Sequence, residues 1–208
     1  MNGGFLVETT QNFYRPTPAR RELLALWSLS EMEQISQHEL GRQIGVSSAM
    51  AHNYVQALVN QGYVMTSGET NRTMRYLVTG TGRARLALLM RGYAIEISRM
   101  YSIAKTEVEK RLQQLWKEGI QDVVVFGAAE TGELIYSAVK STPLRIVGWV
   151  DNDVARHQQR FGDLTVCPPD TIESCRPDAV LIASSGKTED IHRQLRHLSK
   201  KGIAVVTL

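Results

Sequence analysis

Along the first 118 positions apolar residues recur at helical spacing, and beyond them they gather into short unbroken runs separated by helical segments. Thr17 can cap a helix whose first position is Pro18, and Leu23, Leu24 and Trp27 are read as its apolar face. Ser36 with Glu39 three residues on forms a capping-box signature for a second short helix, which buries Leu40 and Ile44. Gly45-Val46-Ser47 is a tight break. A third helix follows from Ser47 or Ser48 to about Gln61, with Ala51, Tyr54, Val55, Leu58 and Val59 inward. Gly62 ends it where a left-handed cap is expected. Tyr63–Met65 and Thr73–Val78 are strand-like and flank a polar turn, so they predict a β-hairpin. Three helices and a hairpin in that order are a winged helix-turn-helix.

From Arg83 to about Glu118 the pattern is one long helix. Leu86, Leu89, Tyr93, Ile97, Met100, Ala104, Val108, Leu112 and Leu115 form a single stripe. Such a helix would span roughly 54 Å at 1.5 Å per residue, longer than a small domain needs. The expected partner for the stripe is the same helix of a second copy, with packing onto the chain's own domains as the alternative.

After Gly119 come buried-strand runs at 122–126, 145–150, 178–183 and 203–207, alternating with helices at 130–140 and 189–200 and a short one near 169–175. Continuous apolar strands between helices predict a parallel sheet covered on both faces. The fold class is therefore α/β plus an N-terminal winged helix. Residues 1–17 are expected to form a flexible tail, 18–85 the winged helix-turn-helix, 86–118 the linking helix and 119–208 a small Rossmann-like domain with four or five strands.

Charge changes the picture only by its distribution. Residues 1–118 carry 14 Lys and Arg against 10 acids and no Asp, while the remainder is close to neutral. A mildly basic front half suits a polyanion. Cys167 and Cys175 lack metal-ligand spacing and are read as structural thiols. The five histidines are read as surface residues and no metal site is expected. No apolar run reaches membrane-spanning length and the first 20 residues lack a signal-like core, so a cytoplasmic chain is expected.

The third helix turns Ser48, Ala49, His52, Asn53 and Gln56 outward, with Ser47 at its start. Asn and Gln can bond adenine through paired donor and acceptor, and small residues let the backbone approach a groove. Arg42 on the preceding helix and Arg72 and Arg75 in the wing are placed for phosphates. Double-stranded DNA is the expected partner, bound by a homodimer.

The segments Leu40–Ser47, Val55–Leu58, Gly62–Val64 and Tyr76–Arg83 resemble the MarR-type winged-helix pattern, in particular MarR-like regulators associated with exopolysaccharide clusters. The resemblance covers about 65 residues and implies a transcription regulator, with a possible link to polysaccharide biosynthesis.

A second constellation lies at the carboxyl edge of the predicted sheet. Gly127-Ala128-Ala129-Glu130-Thr131-Gly132 follows the first strand and opens a helix, the position of a dinucleotide fingerprint with Ala129 at the middle glycine. The helix start offers amides to phosphate. Asp151, ending the next strand, stands where an acid would bond a ribose hydroxyl, followed by Asn152. Ser184, Ser185 and Lys187 are expected at the same edge. The loop, Gly148–Asp151 and Val166–Pro169 resemble the CoA-binding or nucleoside-sugar-binding Rossmann type, and the domain order resembles that of the Rex redox-sensing repressors. These resemblances imply NAD(H), a nucleotide-sugar or CoA as effector. The expected function is a non-enzymatic regulator sensing such a ligand. A nucleotide-sugar enzyme and a ligand-free oligomerisation module are the alternatives.

Overall fold

The computed structural model describes residues 16–68, 73–183 and 187–208. The chain divides into two compact units between Arg99 and Met100.

The first unit opens with α1 (Pro18–Glu31), α2 (Gln37–Ile44) and α3 (Ser48–Asn60). Each begins where a hydroxyl satisfies a free amide. Thr17 Oγ1 accepts from Arg20 N–H at 3.2 Å, Ser36 Oγ from Glu39 N–H at 3.0 Å, and Ser47 Oγ from Met50 N–H at 3.3 Å. Gly45 closes α2 at φ 71° and Gly62 turns the chain out of α3 at φ 72°, both left-handed conformations that glycine adopts without penalty. The inward face of α1 is Leu23, Ala25, Leu26 and Leu29. Trp27, expected inside, is 43% exposed, because it follows Leu26 by one residue and is turned about 100° off the buried stripe. Leu40, Ile44, Ala51, Val55 and Leu58 complete the three-helix core.

Strands β1 (Val64–Ser67) and β2 (Arg75–Val78) pair antiparallel with Val64 opposite Val78. Helix α4 runs Gly80–Lys117. Thr79 caps it: its Oγ1 accepts from Gly82 N–H at 3.0 Å and donates to Gly62 O at 2.7 Å, so one side chain joins the end of the α3–β1 turn to the helix start. Gly82 is buried there, where a Cβ would stand 2.1 Å from Tyr63 O. Arg85 donates two bonds to the Glu22 carboxylate at 2.7 and 3.0 Å, tying α4 to α1.

The predicted apolar stripe of α4 divides into three parts. Leu86 and Leu89 pack on the winged-helix core. Val108, Leu112 and Leu115 are buried against the sheet of the second unit, which is the alternative packing considered above for that third of the helix. Between them Ile97 and Met100 of the stripe are at least 40% exposed, as are Ile95 and Ile103 beside it, while Tyr93 and Ala104 are half-buried.

The second unit holds β3 (Asp122–Phe126), α5 (Glu130–Val139), β4 (Arg145–Val150), β5 (Arg160–Phe161), β6 (Leu164–Cys167), β7 (Ala179–Ile182), α6 (Thr188–Ser199) and β8 (Ala204–Thr207). Single-turn 3-10 helices at Val154–Arg156, Pro169–Thr171 and Glu173–Cys175 fill the connections. The strand order is β5-β6-β4-β3-β7-β8, parallel except for the β5–β6 hairpin. Among the described residues six strands replace the four or five expected. The extra pair is short and half-buried, so it carries neither a long apolar run nor a clean alternation.

Strand β3 shows why both faces are covered. Val123 and Val125 enter one core with α5 and the end of α4, while Val124 and Phe126 enter another with Ile191, Leu195 and Leu198 of α6. Side chains of period two thus feed two helix layers. Among the described residues no helix is long and apolar enough to cross a membrane.

Candidate functional site

On α3 the outward residues Ala49, His52, Asn53 and Gln56 are exposed and Ser48 is half-buried behind the cap Ser47. Ala51, Val55 and Leu58 anchor the opposite face, so the orientation of the polar row is fixed by core packing. Gln37 Nε2 of α2 donates to His52 Nδ1 at 2.9 Å, which steadies the imidazole from the neighbouring helix. Met50, also on the open side, is 45% exposed. Neither Gln37 nor Met50 was marked by the sequence pattern. The Gln37–His52 contact joins residues 15 apart in sequence on two neighbouring helices.

Arg42 is exposed but not idle. Its Nε and Nη2 donate to Glu39 at 3.0 and 2.6 Å, and Gln43 donates to the same carboxylate at 3.2 Å. The guanidinium holds the Glu39 carboxyl below its ordinary range, and the carboxylate in turn raises Arg42. Glu39 therefore faces Arg42 rather than closing the capping box through its side chain, and it sets an acid beside the predicted phosphate contact. Arg75 is exposed on β2 opposite Ser67. Arg72 lies outside the described residues.

In the second unit Gly127 has φ +118°, and a Cβ there would stand 2.9 Å from Ala183 O. At Gly132 a Cβ would meet Gly127 O at 2.5 Å and Trp149 at 2.9 Å. Both glycines thus allow the tight turn and close helix–strand packing of a fingerprint loop. The loop is also held from behind: Trp149 Nε1 donates to Gly127 O at 3.0 Å, and Arg156 Nη1 donates to Ala128 O at 2.6 Å.

The amide that would face a phosphate has a partner already. Ala128 N–H donates to Asp151 Oδ2 at 2.7 Å, and Asp153 N–H donates to Asp151 Oδ1 at 2.8 Å. His157 Nε2 lies 2.8 Å from the Asp151 carbonyl. Both oxygens of the acid expected at a ribose are thereby bonded to backbone amides. Ala128 is buried and Ala129 half-buried; Glu130 is exposed and Thr131 half-buried at the start of α5. Glu130 and Glu133 favour the positive end of that helix, and they also set acids where a phosphate would approach. Asn152 exchanges two hydrogen bonds with Gln194 at 2.9 and 3.1 Å. Lys187 is exposed just before α6, while Ser184 and Ser185 lie outside the described residues.

Beside this loop is a cluster that the sequence did not announce. The rings of Trp149 and Phe161 stack at 3.9 Å with 9° between planes, and Tyr136 meets both edge-on at 6.0 and 6.1 Å. Lys140 Nζ sits 4.1 Å from the Tyr136 centroid. An open cleft of about 710 Å³ borders the cluster, lined by Tyr101, Glu133, Tyr136, Gln159, Arg160 and Phe161.

A family model described as "C2185-like, N-terminal" matches residues 119–204. No curated protein matches the chain. Among solved structures, UDP-D-quinovosamine 4-dehydrogenase from Vibrio fischeri is similar at 18% identity over 43% of this chain and 78% of that one, with a TM-score of 0.38. The transcriptional regulator MosR of Mycobacterium tuberculosis is 28% identical over 40% of this chain and 62% of its own, with a TM-score of 0.32. A MarR family protein of Mycobacterium tuberculosis, solved with salicylic acid, is 23% identical over 46% of this chain and 75% of its own, with a TM-score of 0.33. Each likeness covers less than half of the chain.

Proposed function

We propose that this chain is a DNA-binding transcription regulator of the MarR-like winged-helix type, acting as a homodimer in the cytoplasm. The observation that carries the reading is the outer face of α3, where Ala49, His52, Asn53 and Gln56 stand exposed on a helix whose other face is locked into a core. In the major groove, Asn53 and Gln56 would read adenine edges and Ala49 would permit close approach. Arg72 and Arg75 of the wing would take phosphates. Arg42 would do so only by exchanging Glu39 for a phosphate oxygen, so its contribution to affinity is expected to be the smaller.

A second copy is the proposed occupant of the middle of α4. Ile97, Met100 and Ile103 recur at helical spacing there and are exposed at 40, 54 and 59%. Burying such a row against its own copy would remove apolar surface from water at about 25 cal/mol per Å².

The glycine turn fits a fingerprint loop, so a nucleotide-type ligand (NAD(H), a nucleotide-sugar or CoA) remains the proposed effector. Its phosphates would have to displace Asp151 from the Ala128 amide. The resemblance to exopolysaccharide-associated regulators supports a link to polysaccharide biosynthesis.

Selection from a randomised duplex pool tests the DNA reading. The expected product is an inverted repeat with half-sites about 10 base pairs apart centre to centre. Absence of any enriched sequence would overturn it. Adding each nucleotide to the selected complex tests the effector, with a change in affinity expected for one of them.

A further inference from the structure

Apart from the glycine loop, the described surface of the second unit holds the cleft between α4, α5 and β5. Its floor is built of packed aromatic rings. Phe161 is backed by Trp149 in a stacked pair, and Tyr136 closes the angle between them edge-on. Gly162 follows at φ +60°, with Tyr136 Oη 2.2 Å from where its Cβ would stand, so this glycine is what lets the tyrosine lie against the hairpin. A side chain at 162 would push Tyr136 away. Tyr101 of α4 adds a second tyrosine to the wall.

The polar groups of the cleft are open to a ligand. Glu133, Gln159 and Arg160 are exposed, and their side chains have no hydrogen bond or ion pair among the described residues. Glu133 offers acceptors only, Arg160 donors only and Gln159 both. An anion entering the cleft would be drawn to Arg160 but repelled by Glu133, and a cation the reverse. A neutral ligand escapes both repulsions.

We propose that this cleft binds a neutral carbohydrate. Each sugar hydroxyl both donates and accepts, so the hydroxyls of one sugar suit both Glu133 and Arg160. The C–H face of a pyranose carries the slightly positive hydrogens that the negative face of an aromatic ring attracts, and Phe161 and the tyrosines supply such rings. The cleft volume lies within the range of small-molecule sites, and its openness suits a ligand that keeps part of its surface in water. This site stands independently of the DNA-binding reading.

Saturation-transfer NMR on the full chain tests it with a defined panel: D-glucose, D-galactose, D-mannose, maltose and cellobiose as neutral sugars; D-glucuronate and D-glucosamine as charged counterparts; and L-phenylalanine and L-tyrosine as zwitterions that could also bridge Arg160 and Glu133. The expected result is transfer to the ring protons of at least one neutral sugar, with its charged counterpart bound about tenfold more weakly. Arg160→Ala and Glu133→Ala are each expected to weaken binding about tenfold. Both residues are exposed, and an unchanged near-ultraviolet circular dichroism spectrum would show the aromatic cluster intact. The proposal is overturned if no neutral sugar receives transfer, if the charged sugars or the amino acids bind as well or better, or if both variants bind like the wild type.

Discussion

Gly82→Ala and Gly80→Ala differ by two residues and should have opposite signs. At Gly82 the added methyl would stand 2.1 Å from Tyr63 O, 2.9 Å from Tyr63 C and 2.9 Å from the Val78 side chain. The first two are backbone atoms in the turn that Thr79 already clamps, with Thr79 N–H bonded to Tyr63 O at 2.9 Å. They cannot rotate away as a side chain could, so α4 must shift off the hairpin. Overpacking of this kind costs typically 1–3 kcal/mol, and the backbone position argues for the upper end, about 3 kcal/mol. Alanine's better helix propensity recovers only about 1 kcal/mol of that. At Gly80 nothing lies within 4 Å, so only the propensity gain remains and the variant should be more stable by about 0.5–1 kcal/mol. Urea denaturation followed by far-ultraviolet circular dichroism, with amide exchange in residues 17–99 to report the first unit by itself, measures both. Equal effects of the two substitutions, or a neutral Gly82→Ala, would refute the close approach of α4 to Tyr63.

Four further substitutions test other regions of the chain. Thr79→Ala removes the cap of α4 and the bond to Gly62 O, and should cost about 1 kcal/mol in the same denaturation assay. Arg75→Ala should weaken duplex binding about equally across sequences and lower the salt slope by about 1, whereas Asn53→Ala should relax sequence preference; both are read by anisotropy titrations at several salt concentrations. Asp178 accepts the Asp122 and Gln121 amides at 2.8 Å each, and these bonds lower its carboxyl from the ordinary value of 3.8. A depressed folded-state pKa contributes stability above the unfolded value, and that contribution is lost as pH falls through the folded one. Asp178→Asn should therefore destabilise at pH 7, and the gap from the wild type should close as the pH falls below about 4, followed by urea midpoints.

The parts of the fold written in local chemistry were legible in the sequence. Thr17, Ser36 and Ser47 announce helix starts because a hydroxyl needs only an amide three residues on. Gly45 and Gly62 announce turns because other residues resist a positive φ. The stripe on α4 was legible as a stripe, but its partners were not. The same spacing serves Leu89 on a three-helix core and Leu112 on a sheet, and periodicity does not say which surface waits opposite. The β5–β6 hairpin escaped notice because two- and four-residue strands carry too little pattern. Asp151 could be placed at the strand end by counting, yet its bond to Ala128 N–H spans 23 residues and depends on how the loop closes. The Trp149–Phe161–Tyr136 cluster is the extreme case: three aromatic residues, each unremarkable where it stands, meet only because β5 folds back along β6.

We infer that the outer face of α3 reads DNA sequence. This is tested most directly by substituting His52, Asn53 and Gln56 together with alanine and comparing the specific duplex with an unrelated one at fixed salt. All three are exposed, so the fold should persist. The ratio of specific to non-specific affinity should fall by at least about a hundredfold, while residual non-specific binding through the arginines survives. An unchanged ratio in a folded triple variant would contradict it and move the reading surface elsewhere.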